Sequence, residues 1–359
     1  MFLVGCNGYL ARFFAQKARD AGIKLMYGSH TASSAIDTLF LDLTDEPSVK
    51  AALERAAPKA VVNAAAMSSP RACQENPTAS KAVNCPEFLV SACMALRSVP
   101  FLVHYSTDQV FDGNSPPYIE NDSAAPLNVY ASHKAEFDSI VAKTYPQDKF
   151  CILRPTNIVG PAAPGDGPTK FLQWLFNTLQ VTAADQGSEP VRLFCDEYRN
   201  YVSVHDVVDC TLEVLSRAGV YQQAAAARST GASGELATES TGKAATTSPP
   251  MATAPYNGSI SQYPVDGVPQ VVHVSGPESL TRVDVGSAVF QVVREHAHAA
   301  GASCRAEAEV IAPVPRSSVD IGYKSPLNLS TPPILFRRLM QREPRTLQEV
   351  VEDAFKAEV

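Results

Sequence analysis

Tyr105-Ser106-Thr107-Asp108-Gln109-Val110-Phe111-Asp112-Gly113 and, beyond a proline-rich loop, Tyr130-Ala131-Ser132-His133-Lys134 decide how this chain is read. Pro100 to Tyr105 is a short apolar run ending at turn residues, which predicts a buried strand whose carboxyl end delivers Ser106, Thr107 and Asp108. Open α/β sheets hold their ligands at that end. Tyr130 and Lys134 stand four apart, so on a helix they share one face, a turn from each other. A phenol beside an ammonium is a proton donor made easier to ionise, because the positive charge favours phenolate. Taken alone the spacing is in most such pairs that of an exposed helix face. Placed after a strand ending in Ser-Thr-Asp, in a chain that begins with a glycine-rich turn, it points to acid–base chemistry.

That turn is Gly5-Cys6-Asn7-Gly8-Tyr9-Leu10-Ala11-Arg12, between the apolar strand Phe2-Leu3-Val4 and a helix-period stretch to Asp20. The same glycine pair serves ordinary β–α turns. At the first strand, however, Gly-x-x-Gly-x-x-Ala is a variant of the dinucleotide fingerprint, aiming backbone N–H groups and the positive end of the helix dipole at a pyrophosphate. Gly5, Asn7, Gly8, Tyr9, Leu10 and Arg12 are the candidate cofactor contacts. The second strand, Lys24 to Tyr27, ends without the acidic residue that NAD-specific sites place there. With Arg12, Ser29, His30 and Thr31 nearby, the cofactor is expected to be NADP or NAD, with NADP favoured. Leu39 to Leu41 reads as a third strand, and Asp42-Leu43 either flanks an adenine or supplies, through Asp42, the N-terminal charge of a helix over 45–56. Ala60 to Val62 leads into Ala64, Ala65 and Ala66, small enough for a flat cofactor to lie against backbone. Pro77 to Arg97 has helical spacing, and Asn84 within it either faces solvent or holds backbone or water behind the site.

The loop from Ser115 to Val129 reads as a substrate cover. Phe150 to Leu153 is a further strand whose end, from Arg154 to Gly160, should face the nicotinamide half. Beyond it come helices over 169–179, 205–217 and 281–298, strands at 191–194 and 271–274, and closing helices near 334–342 and 346–357. Between about 222 and 255 the composition collapses to Ala, Thr, Ser, Gly and Pro, so a disordered insertion is expected there. With 359 residues, a Rossmann domain over 1–160, regaining 191–217, and a substrate lobe over 161–359 fit the pattern. A net charge of -7 without any basic cluster argues against nucleic acid, and the apolar runs are strand-sized, arguing against a membrane span or signal peptide. A cytoplasmic protein is expected. The eight cysteines, irregularly spaced and without a Cys-x-x-Cys pair, read as reduced core residues, with no metal site.

Assembled, these residues resemble an extended short-chain dehydrogenase/reductase: Gly5-x-x-Gly8-x-Leu10, Asp42-Leu-Thr-Asp45, Asn63-Ala-Ala-Ala66, Val83-Asn84, Ser106-Thr-Asp-Gln-Val-Phe-Asp-Gly113, Tyr130-x-x-x-Lys134 and Ser275-Gly-Pro-Glu278. The chain is similar to the dTDP-4-dehydrorhamnose reductases and to the regulatory beta subunits of methionine adenosyltransferase, the latter especially over Pro116 to Tyr130. The resemblance implies a Rossmann-type doubly wound parallel sheet with a smaller α/β C-terminal lobe. It implies catalysis by Thr107, Tyr130 and Lys134, the last two also touching the cofactor, and a substrate side formed by Asp108, Gln109, Val110 and Asn157. The implied partner is a small-molecule substrate or a methionine adenosyltransferase catalytic subunit, and a homo-oligomer is compatible with both. Three departures matter: Gln109 stands where the relatives usually carry an aromatic beside the substrate, Ala11 replaces the usual third glycine, and the reductases' Arg-Pro in the carboxyl lobe appears as Ser325-Pro326, which argues against a sugar-nucleotide phosphate there unless Lys324 or Arg316 reaches it.

Overall fold

Three buried apolar residues form the first strand, β1 (Phe2–Val4), and Gly5 ends it at φ 76, a left-handed conformation that favours glycine. In the computed structural model, residues 1–31, 37–165, 170–222 and 267–355 are described, so the expected 222–255 insertion, after its first residue, lies outside the described residues. The turn opens α1 (Tyr9–Asp20), whose inner face places Phe13, Phe14 and Ala18 on the sheet. Then follow β2 (Met26–Ser29), β3 (Thr38–Phe40), α2 (Glu46–Ala56) and β4 (Ala60–Asn63). Asp45 caps α2 by accepting from Ser48 N, so the helix-start charge is Asp45 and not Asp42. α3 (Pro70–Glu75) precedes the helical stretch expected from Pro77, and that stretch is broken into α4 (Pro77–Asn84) and α5 (Glu87–Ala95), with Pro86 dividing them.

β5 (Phe101–Tyr105) is buried along its length and leads through the Thr107 turn and the proline-rich loop to α6 (Val129–Thr144). After β6 (Phe150–Pro155), β7 (Asn157–Val159) leaves the main sheet. Next come α7 (Phe171–Ala184), β8 (Val191–Phe194), β9 (Arg199–Ser203) and α8 (Val204–Arg217), then β10 (Val271–Val274), β11 (Ser279–Leu280), α9 (Arg282–Ala299), α10 (Glu307–Val310), β12 (Ile311–Val314), α11 (Ile334–Met340) and α12 (Leu347–Phe355). The main sheet is parallel throughout, in the order β10-β6-β5-β4-β1-β2-β3. Its order reverses between β1 and β4, which opens a crevice over their carboxyl ends. α1 and α8 cover one face with Leu3, Val62, Val103 and Leu153, while α2, α5 and α6 cover the other with Phe2, Val61, Leu102 and Ile152.

The smaller lobe has its own apolar cluster, where α7, α9 and α12 pack around Leu193 and Ile311. Within it β8 pairs with β12, while β9 lies between β11 and β7. The 115–129 loop does not cover the crevice as expected. Its middle turns inward: Tyr118 stacks on Phe111 with ring centroids 4.4 Å apart, and Glu120 accepts from His273 N at 3.2 Å. Apolar and polar anchors buried this deeply make it a strap between the lobes.

Candidate functional site

Two residues of α6's inner face, one turn apart, meet two of the β5 end. Lys134 is 1% exposed and donates from Nζ to the Tyr105 carbonyl at 2.9 Å, and Tyr130, 8% exposed, lies beside the Thr107 hydroxyl. Asn128 starts the helix by accepting from Ala131 N at 2.9 Å, and its amide donates to Gln109 Oε1 and Lys324 O, tying the helix start to both lobes. A cleft of ≈ 450 Å³ is lined by Gly8, Tyr9 and Leu10 from the glycine turn and by Ala64, Ala65 and Ala66 after β4. Thr107, Asp108, Gln109, Tyr130, Lys134 and Asn157 line it too, so the acid–base pair and the fingerprint share one cavity.

Adjoining it through Ala65 is a second, more apolar pocket of ≈ 300 Å³, lined among others by Gly5, Gly28, His30, Asp42 and Leu43. A Cβ on Gly5 would lie 2.6 Å from Ala65 N and Cα, so this glycine is required by the chain itself. Gly8 differs: its φ is -70 and an added Cβ would meet only Gly5 O at 3.4 Å. Its missing side chain leaves open space in the cleft, which a ligand backbone-close to the turn would use.

Three of the expected residues line neither pocket. Val110 is fully buried with Phe111, Tyr118 and Leu329, because an apolar side chain at that turn gains more from the satellite core than from the cleft. Asn7 donates to Ser29 Oγ at 3.4 Å, and Arg12 donates to the carbonyls of Asn7 and Pro164, so both brace the turn and line neither pocket. Asn84 is buried and holds Met67 through both its N–H and its carbonyl, so the reading that it secures backbone is correct.

Electrostatics depart from the expectation in one respect. Burial pushes the Tyr130 phenol up, against the pull of the Thr107 hydroxyl, and the charge of Asp108 adds to the rise. No lowering by the Lys134 ammonium offsets these, so the phenol holds its proton firmly. Burial also brings Lys134 down to about 8 against the opposing charge of Asp138, and lifts Asp108 to about 6 against the opposing charge of Arg199.

Arg199 is a residue that the sequence reading missed. It occupies the neighbourhood of Ser325-Pro326, donating to Ser325 Oγ at 3.0 Å and to the Pro326 carbonyl, and pairs with buried Glu197 at 3.1 Å. Arg282 and Arg316 reach the same Glu197 at 3.6 and 3.9 Å, so three guanidiniums surround one carboxylate and leave the corner cationic. Arg282 lies over the rings of Phe171 and Phe194, and Phe171 lines the cleft. The only hint in the sequence was the polar run Asp196 to Asn200 after a short strand, which has no periodicity to fix its direction. Among the described residues, Cys85, Glu87 and Glu136 cluster closely enough to hold a metal ion, but the Lys81 ammonium spans the two glutamates and burial pushes the Cys85 thiol up to about 12.

A family model described as RmlD substrate binding domain matches residues 1–257. The chain is 31% identical over 224 residues to the probable low-salt glycan biosynthesis reductase of Haloferax volcanii, covering 61% of this chain and 71% of that protein. It is 34% identical over 108 residues to methionine adenosyltransferase 2 subunit beta of Danio rerio, covering 29% of this chain and 32% of that one. A solved dTDP-4-dehydrorhamnose reductase from Bacillus anthracis, in complex with NADP, superposes with a TM-score of 0.69 over 99% of this chain and 98% of its own at 16% identity, a likeness of fold. No helix among the described residues is long and apolar enough to cross a membrane.

Proposed function

We propose, from the premise that the chain belongs to the RmlD substrate binding domain family, that it reduces a ketone on a nucleotide-activated sugar with a nicotinamide dinucleotide. The observation that carries this reading is the shared cleft, in which Tyr130, Lys134 and Thr107 stand opposite the glycine turn and the small residues after β4. The residues fit the cofactor: Gly8 leaves room for a pyrophosphate at the α1 N-terminus, and the pocket between Gly28 and Leu43 suits an adenine. Serine, histidine and threonine at the β2 end favour NADP over NAD, the one carboxylate lining this pocket among the described residues, Asp42, coming from the β3 end, 3.7 Å from His30. Bound there, the cofactor supplies hydride.

The chain's own groups do the rest. Tyr130 donates its proton to the carbonyl oxygen as charge develops on it, and Thr107 holds that oxygen by a hydrogen bond. Lys134, fixed by the Tyr105 carbonyl, presents its ammonium to the ribose hydroxyls and offsets the negative charge left on the phenol. The cationic corner of Arg282 and Arg316 beside Phe171 suits the phosphates of an activated sugar. The experiment is NADPH oxidation with a panel of nucleotide-linked keto sugars; oxidation at background on all of them would overturn the reading. A second reading, a regulatory subunit docking on a methionine adenosyltransferase catalytic subunit, is supported by the likeness to the beta subunit over about a third of its length. Co-purification with that catalytic subunit, together with absent turnover, would favour it.

A further inference from the structure

Asp138 belongs to no part of the reaction described so far, yet it lies directly behind it. Tyr130, Lys134 and Asp138 follow one another at intervals of four along α6, so they form one stripe on its inner face. Each member meets one of three consecutive residues at the end of β5: Tyr130 meets Thr107, Lys134 meets the Tyr105 carbonyl, and Asp138 Oδ2 accepts from Ser106 Oγ at 2.8 Å. The same carboxylate oxygen accepts from Arg154 Nε on β6 at 3.2 Å, and its other oxygen lies 3.8 Å from His104 Nε2 without a hydrogen bond. Ser106, Asp138 and Arg154 are all at least nine-tenths buried.

Their surroundings make this costly. Phe137 and Val141 flank Asp138 on α6 and enter the apolar core, where a hydrocarbon side chain would pack without desolvation. A buried ion pair is weak evidence for stability, since a well-packed apolar replacement is often as good or better. Registry is the use for which buried charge has the strongest support. Here the registry is between the helix that carries the proton donor and the strand end that carries Thr107.

We propose that Asp138 is a positioning residue: with Ser106 and Arg154 it forms the third rung of a ladder that holds Thr107 and Lys134 in register with Tyr130. This rests on the reductase reading for its kinetic consequence, but not for its consequence at Lys134. The groups facing Lys134 are Tyr130 and Asp138 on its own helix, Cys73 of α3, Cys85 after α4, and His104 and the Tyr105 carbonyl of β5. Asp138 is the carboxylate among them, and its charge opposes the effect of burial on the ammonium. Removing it makes Lys134 lose its proton at lower pH.

The test uses the full-length protein with Ser106→Ala and Asp138→Asn. NADPH affinity is measured by fluorescence between pH 6 and 10, and kcat and KM on any keto-sugar substrate found for the wild type. Ser106→Ala is expected to lower kcat about tenfold, since a sub-ångström slip of Thr107 acts on the reacting geometry, with KM and NADPH affinity kept within twofold. Asp138→Asn is expected to move the alkaline loss of NADPH affinity down by about one pH unit. A kcat within twofold of wild type in Ser106→Ala, or an alkaline limb unmoved in folded Asp138→Asn, overturns the proposal. If Asp138→Asn does not fold, Ser106→Ala, which deletes one hydroxyl, still decides. If the wild type reduces no ketone, the reductase reading falls and the NADPH limb alone judges the ladder.

Discussion

Replacing Tyr130 by phenylalanine removes one oxygen from a side chain that is 8% exposed, and the structure separates what that oxygen does for folding from what it does for chemistry. Its neighbour in the fold is the hydroxyl of Thr107, and the loss costs at most the ~0.5–1.5 kcal/mol of a neutral hydrogen bond. Thr107 is not stranded by the loss, because its Oγ1 still donates to Asp108 Oδ1 at 3.2 Å and accepts from Gln109 N at 3.2 Å. Stability should therefore fall by about 1 kcal/mol, and NADPH affinity should stay within about threefold. Turnover behaves differently. Burial keeps the phenol protonated across the neutral range, so Tyr130 is charged with a proton in every resting molecule, and no other hydroxyl in the cleft is set on the α6 face beside Lys134. Losing general acid catalysis costs ~10²–10⁴ in rate, or roughly 3–5 kcal/mol of barrier. The assay is carbonyl-dependent NADPH oxidation under saturating cofactor, paired with a thermal melt and a fluorescence titration. Retention of more than a third of kcat in a folded, NADPH-binding Tyr130→Phe would refute the assignment of the proton donor.

The remaining predictions concern charge and space. Lys134 titrates near 8 because it is buried, and contact with a bound ribose favours its charged form, so NADPH affinity should be flat below pH 8, fall above it, and be accompanied by proton uptake near pH 8; calorimetry in two buffers of different ionisation enthalpy would detect the protons, and equal heats at pH 8 would contradict the claim. Asp108 is raised to about 6 by burial, so the folded state binds its proton more tightly than the unfolded chain and stability is lost as pH rises from about 4 to about 6; Asp108→Asn should therefore stabilise at pH 8 by ~1–3 kcal/mol and leave stability at pH 4 almost unchanged, a contrast that chemical denaturation at both values would show or exclude. Gly8→Val should fold normally but lose tenfold or more in NADPH affinity, whereas Gly5→Ala, with a Cβ 2.6 Å from Ala65 backbone and a φ of 76, should cost ~1–3 kcal/mol of stability; equal melting temperatures for the two variants would show that the glycines are not divided in this way.

The parts of the fold that sequence reading located are those where local chemistry and tertiary position agree. β1, the Gly5 turn and α1 announce themselves because three apolar residues, a glycine that needs positive φ and a 3.6-residue period lie end to end. Tyr130 and Lys134 were legible for the same reason: α6 fixes their mutual spacing, and β5 delivers Thr107 at the place where a parallel sheet is open. Val110 was misplaced because sequence adjacency to Asp108 and Gln109 says nothing about which way a turn throws each side chain. The pull of Phe111, Tyr118 and Leu329 decided it, and those residues come from three different segments.

Arg199 shows why the substrate side is harder to read than the cofactor side. A dinucleotide is held largely by backbone at a turn, and turns have local signatures in glycine and small residues. An anion held by side chains needs only that guanidiniums arrive from wherever the fold permits, and here they arrive from β9, from the start of α9 and from the turn after β12, meeting at Glu197. Ser325 stands where the resemblance places an arginine, yet the corner is not deprived of positive charge, because Arg199 donates to Ser325 itself and the Ser325 hydroxyl donates to Glu197 at 2.6 Å. Arg199 spends its donors on the Tyr198 and Pro326 carbonyls as well, so it braces the corner. Arg282, whose side chain is 38% exposed and lies over two phenylalanine rings, and Arg316, whose Nε has no hydrogen-bond partner, are the guanidiniums of this corner with donors left for a ligand. Ser325 therefore does not leave this corner without guanidiniums, since Arg199, Arg282 and Arg316 reach Glu197 from three other segments.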